Sequence, residues 1–213
     1  MPSANSVDRS TLLARGRRIE CLTIAWNALE ALVSLVAGWL AGSIALVSFG
    51  LDSVLETASA VILLWRLRPQ IDAEQRERIE RTAHRLVGVC FLLLAAYIAI
   101  ESVRALWLRS QPERSIPGIA IACAAVIVMP LLGRAKRKVA RQLASAALHS
   151  DSRQADFCAY LSAIVLAGLL LNWLLGWWWA DPAAALVMAP IIAREGVNGL
   201  RGEACDDCAA TRE

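Results

Sequence analysis

Apolar residues run along this chain in long unbroken stretches separated by short clumps of charge. Most stretches are about 17–24 residues, the length that crosses roughly 30 Å of hydrocarbon as a helix. A soluble helix would instead show one apolar and one polar face, so a soluble bundle is not the expectation. Six segments stand out: 20–40, 43–65, 84–107, 117–133, 155–176 and 180–194. The first two are separated only by Ala41 and Gly42, which predicts a tight helical hairpin. The third and fourth are joined through Arg109–Pro117, where Pro112 and Pro117 stop helices. The fifth and sixth meet near Trp177, Trp178 and Trp179, an aromatic triplet suited to the membrane interface. The pattern predicts an all-α polytopic membrane protein with six transmembrane helices.

Charge sets the expected orientation. The chain is 57% hydrophobic and 19% charged, with mean hydropathy +0.50 and net charge +3. Its cations are clumped. Arg9, Arg15, Arg17 and Arg18 precede segment one, and Arg66, Arg68, Arg76, Arg78, Arg81 and Arg85 follow segment two. Arg134, Lys136, Arg137, Lys138 and Arg141 follow segment four, and Arg194, Arg201 and Arg212 lie at the end. The opposite side has only Arg109 and Arg114. Cytoplasmic loops carry the excess of Lys and Arg, so both termini are expected in the cytoplasm and the protein in the cytoplasmic membrane. The topology signal accounts for the basic loops without a nucleic-acid partner. The expected organisation is a basic tail over 1–19, a transmembrane domain over 20–200 and a short cytoplasmic tail over 201–213. The first apolar run is too long for a cleaved leader. No nucleophile–base pair or phosphate loop is evident, so an enzyme is not expected.

Polar residues inside apolar segments carry the chemistry. Asp52 and Glu56 stand four residues apart in segment two, on one helical face. A carboxylate at mid-bilayer costs about 2.5–3.5 kcal/mol on insertion scales. Two on one face imply a cation, a proton or a basic partner, and segment two supplies no Lys or Arg. Segment one adds Asn27 and Glu30, the latter isolated in sequence and open to a packing or a proton-relay role. Glu101 and Arg104 are spaced to pair with each other. The entrance to segment five carries His149, Asp151, Gln154, Asp156 and Cys158. Asp151, Gln154 and Cys158 share a face, whereas Asp156 points about 140° away from Asp151. Carboxylates and a cysteine on facing helices suit a divalent cation, and the mixture of hard and soft donors leaves the ion open. Of six cysteines, only Cys205 and Cys208 form a C-x-x-C, which is half of a zinc site and a possible secondary metal position.

The run Gly42-Ser43-Ile44-Ala45-Leu46-Val47-Ser48-Phe49-Gly50-Leu51-Asp52-Ser53-Val54-Leu55-Glu56 resembles the second transmembrane helix of the cation diffusion facilitator family. Trp179-Ala180-Asp181-Pro182-Ala183 resembles the opening of its sixth. The resemblance implies export of a divalent metal, typically zinc, in exchange for protons by a homodimer. It carries over a metal-binding role to Asp52 and Glu56, with glutamate in place of the usual aspartate. Segment five departs from the pattern: where the family has His-x-x-x-Asp or Asp-x-x-x-Asp, this chain has Gln154-x-x-x-Cys158, with Asp151 one turn earlier. The resemblance is to a short form without the family's folded cytoplasmic domain. The expected ligand set is therefore Asp52, Glu56 and Cys158, with Asp151 or Gln154. The alternative is a membrane protein that binds metal or a partner at an altered site without transporting.

Overall fold

The computed structural model describes residues 4–66, 73–143 and 146–201. It contains α1 (Ala4–Ala41), α2 (Ile44–Arg66), α3 (Ala73–Leu108), α4 (Ile116–Leu143), α5 (Ala146–Leu175) and α6 (Ala180–Arg201), and no strand among the described residues. All six helices are long and apolar enough to cross a bilayer. The protein is a multi-pass membrane protein.

The helices overrun the apolar segments. α1 reaches back to Ala4, since no proline interrupts residues 4–41 and extending a formed helix is cheap once it is nucleated. For the same reason the basic run Arg134–Arg141 is the last part of α4 and not a loop. α3 begins at Ala73, so the mixed-charge stretch before segment three is its helical extension. Pro130 and Pro190 lie inside α4 and α6 without ending them.

The turns are specified locally. Gly42 takes a left-handed φ of 65°, open to glycine without strain, and reverses the chain between α1 and α2. Ser43 then caps α2, its Oγ accepting from Leu46 N–H at 3.1 Å, and Ser115 caps α4 by accepting from Gly118 N–H at 3.1 Å. The carboxylate of Asp181 completes the α2 terminus from α6. It accepts from Ile44 N–H at 2.9 Å and from the Ser43 hydroxyl. A negative group at the positive end of a helix dipole is favourable, so this bond locks α6 to α2.

α2 is central and touches α1, α3, α5 and α6; α3 packs chiefly on α6, and α4 on α5 and α1. Leu46, Phe49, Ile98, Leu161, Met188 and Ile192 fill the interior. α3 and α6 meet backbone to backbone. A Cβ on Gly88 would lie 2.8 Å from Gly196 O, and one on Gly196 would lie 2.9 Å from Gly88 O. Leu22, Leu32, Leu93, Ile100, Ile127 and Val187 point outward, as lipid-facing side chains do. Trp177 and Trp179 are exposed and stack at 5.0 Å between ring centroids, which fits an interfacial anchor.

Candidate metal centre

α2 carries Asp52 and Glu56 on its inner face, one turn apart and both buried. α5 brings Cys158 to the same level, fully buried. One potential ligand atom from each of these three side chains lies within 4.8 Å of the other two. Metal bonds to oxygen and sulfur are about 2.0–2.3 Å, so two ligands of one ion stand at most roughly 4.5 Å apart. Slight closure would let the three side chains share a cation.

The bonding around them is incomplete. Neither oxygen of Asp52 has a hydrogen-bond partner, and neither does Glu56 Oε1. Buried polar atoms are nearly always paired, and an unpaired buried carboxylate is costly. Three bare acceptor atoms at one place favour a nearby positive charge or a bound proton. The remaining oxygen of Glu56, Oε2, accepts from Asn27 Nδ2 at 3.1 Å, which orients the side chain from α1.

Glu30 joins this cluster, although it is isolated in sequence. Its Oε1 accepts from Ser53 Oγ at 2.6 Å and from Cys158 Sγ at 3.6 Å, and its Oε2 accepts from Trp26 Nε1 at 2.8 Å. Glu30 thus bridges α1 to both ligand-bearing helices and holds the Cys158 thiol in place. The signal for it lay in α1 itself. Glu20, Thr23, Asn27, Glu30 and Ser34 are spaced by three or four residues, and all five are buried. They form one polar stripe facing the bundle interior.

The other residues of the expected set lie elsewhere. Asp151 is two helical turns from Cys158, about 10 Å along α5. It pairs with Lys136, whose Nζ also donates to Glu20 Oε2 at 3.3 Å. Lys136 is 1% exposed. A buried ammonium close at hand takes the Asp151 carboxylate, which therefore stands apart from the Asp52–Glu56–Cys158 group. Gln154, one turn before Cys158, is half-buried. It lines a narrow cleft of about 10 Å³ with Asn27, Glu56, Lys136 and Asp151, room for about one water. Asp156 faces a neighbouring helix and pairs with Arg137. Glu101 pairs with Arg104 at 3.4 Å on the exposed surface. Cys205 and Cys208 lie outside the described residues.

Six spanning helices around a buried, unsaturated donor set agree with what sequence comparison finds. Residues 21–202 match the family described as the cation efflux transmembrane domain. The chain belongs to the cation efflux (cation diffusion facilitator) family. An uncharacterized transporter of Synechocystis sp. is 27% identical over 166 residues, covering 75% of this chain and 54% of that protein. A protein of Bacillus velezensis named as a cadmium, cobalt and zinc/H(+)-K(+) antiporter is 25% identical over 179 residues, 78% of this chain and 55% of its own length. An uncharacterized transporter of Methanocaldococcus jannaschii is 25% identical over 179 residues, with 63% of its length covered. The chain spans about half the length of the first two of these curated relatives. The cation efflux match takes in every residue of the buried donor set.

Proposed function

We propose that this chain carries a divalent metal cation, zinc first, out of the cytoplasm across the cytoplasmic membrane in exchange for protons. The observation that carries the reading is the bare acceptor set: three unpartnered carboxylate oxygens buried beside a thiol in the middle of a membrane bundle. Asp52, Glu56 and Cys158 bind the ion. Glu30, through its bond with Cys158, and Asn27, through Glu56, orient the donors. The carboxylates that hold the metal also take protons. Protons arriving from the far side compete for the same oxygens and release the ion, and rocking of helices exposes the set alternately to the two sides. The antiporter named among the relatives, for cadmium, cobalt and zinc, supports both a divalent metal cargo and proton exchange. A homodimer is the proposed assembly, through the membrane helices.

A second reading follows from the ion-paired side of the cleft. Lys136 holds Asp151, and Gln154 is a neutral donor, so the cluster would bind metal without passing it on. Flux separates the two. Purified protein in liposomes loaded with a metal-sensitive dye is expected to admit zinc under an opposing pH gradient. Asp52→Asn is expected to stop the flux. Metal that binds but never crosses favours the second reading, and flux unchanged by Asp52→Asn removes Asp52 from the site.

A further inference from the structure

The cleft beside Glu56 has a second set of donors. Its walls include Asn27, Glu56, Lys136, Asp151 and Gln154. Lys136 reaches from α4 to Asp151 of α5 and to Glu20 of α1, joining three helices through one ammonium. Glu20 is fully buried, and its Oε1 has no hydrogen-bond partner. Asn27, 1% exposed and on the cleft wall, leaves its Oδ1 unpartnered while its amide nitrogen serves Glu56. These unpartnered oxygens exceed what the ammonium satisfies. The arrangement holds a cation already, but one tethered to the chain.

We propose that Glu20 and Asp151, with Asn27 Oδ1 on the wall of the cleft, form an access site for a divalent cation on the path to Glu56, closed by the ammonium of Lys136. The arriving ion displaces Lys136 from the two carboxylates. The ammonium swings towards water at the basic end of α4, and the ion moves along the cleft to the oxygen of Glu56. Two carboxylates attract a dication more strongly than a single ammonium, so exchange favours a divalent ion over sodium or potassium. Lys136 thereby acts as a selectivity residue. The inference rests on the transport reading, because it supposes that Asp52 and Glu56 hold the ion next.

The full chain in lipid nanodiscs is titrated with cadmium ion, and bound metal per chain is measured by equilibrium dialysis. At a free cadmium concentration that fills only the central site of the unaltered chain, Lys136→Met is expected to bind one ion more. Adding Glu20→Gln and Asp151→Asn is expected to remove that extra ion. Equal binding by Lys136→Met and the unaltered chain overturns the proposal, as does an extra ion that persists in the triple variant. Should Lys136→Met fail to fold, the triple variant decides, since neutral replacement of a buried ion network is commonly tolerated. Its liposome flux is expected to show KM raised about tenfold with kcat kept, as loss of a binding step does. Unchanged KM overturns the proposal. Asp52→Asn is measured alongside. If it leaves flux intact, the transport reading fails; if it stops flux while the triple variant matches the unaltered chain, only the access site fails.

Discussion

Towards the end of the bundle where the basic run of α4 lies, Lys136 stands between Glu20 and Asp151, one ammonium shared by two carboxylates. Mid-span, Asp52 and Glu56 face Cys158, and three of their four carboxylate oxygens have no hydrogen-bond partner. Both regions are buried, and both hold two carboxylates. They differ in who supplies the compensating charge. In the first the chain supplies it, with an ammonium from α4. In the second no ion pair reaches Asp52 or Glu56 among the described residues. Burial of acidic residues therefore does not identify a transport site by itself.

The strongest way to break this contrast is to neutralise each region in turn. Asp52→Asn is expected to cut metal flux by more than about 100-fold, since even groups that merely support a ligand are worth about 10–100-fold. Its thermal unfolding in detergent should not fall, because a bare buried acceptor pair is relieved. A flux defect accompanied by gross unfolding would erase the distinction.

Lys136→Met tests the paired region. Leaving two buried carboxylates without their cation is expected to destabilise the fold by about 3–5 kcal/mol. The triple variant Glu20→Gln, Lys136→Met, Asp151→Asn should recover most of that loss in the same unfolding assay. A triple variant no more stable than the single one would show that the ion pairs are not what Lys136 contributes.

Cys158→Ser sharpens the account of the central donors. Replacing a soft sulfur by a hard oxygen is expected to weaken cadmium relative to manganese by roughly tenfold in competition binding. A ratio that does not move would place the thiol outside the coordination sphere. The smallest effect belongs to the surface pair. Glu101→Gln should change stability by less than about 0.5 kcal/mol, because exposed pairs contribute little, and should leave flux alone. A large effect there would mean that Glu101 belongs to the pathway.

Much of this was legible in the sequence. A bilayer demands long apolar helices, so the six spans could be read directly, and the four-residue spacing of Asp52 and Glu56 fixed their common face. Helix ends were less legible, since nothing in a hydropathy pattern stops a helix such as α4 from running through its basic residues to Leu143. Two partners of Glu30, Ser53 and Cys158, were not read because they come from α2 and α5, and packing between helices is invisible to spacing. The stripe from Glu20 to Ser34 was nevertheless there to be counted. Lys136 was hidden for a different reason. Arg134 and Lys138 beside it are exposed, and one topology rule explains the whole basic run, so nothing local singled out the member that is buried. Asp151, expected as a further ligand on the face that carries Cys158, pairs with that lysine.

The central claim is that Asp52, Glu56 and Cys158 hold one cation together. X-ray absorption at the zinc edge, on the purified chain loaded with a single zinc ion, tests it most directly. The account predicts one sulfur ligand among oxygens, with the sulfur lost in Cys158→Ser and the site lost in Asp52→Asn. A shell without sulfur in the unaltered chain, or the same spectrum in all three proteins, would contradict it.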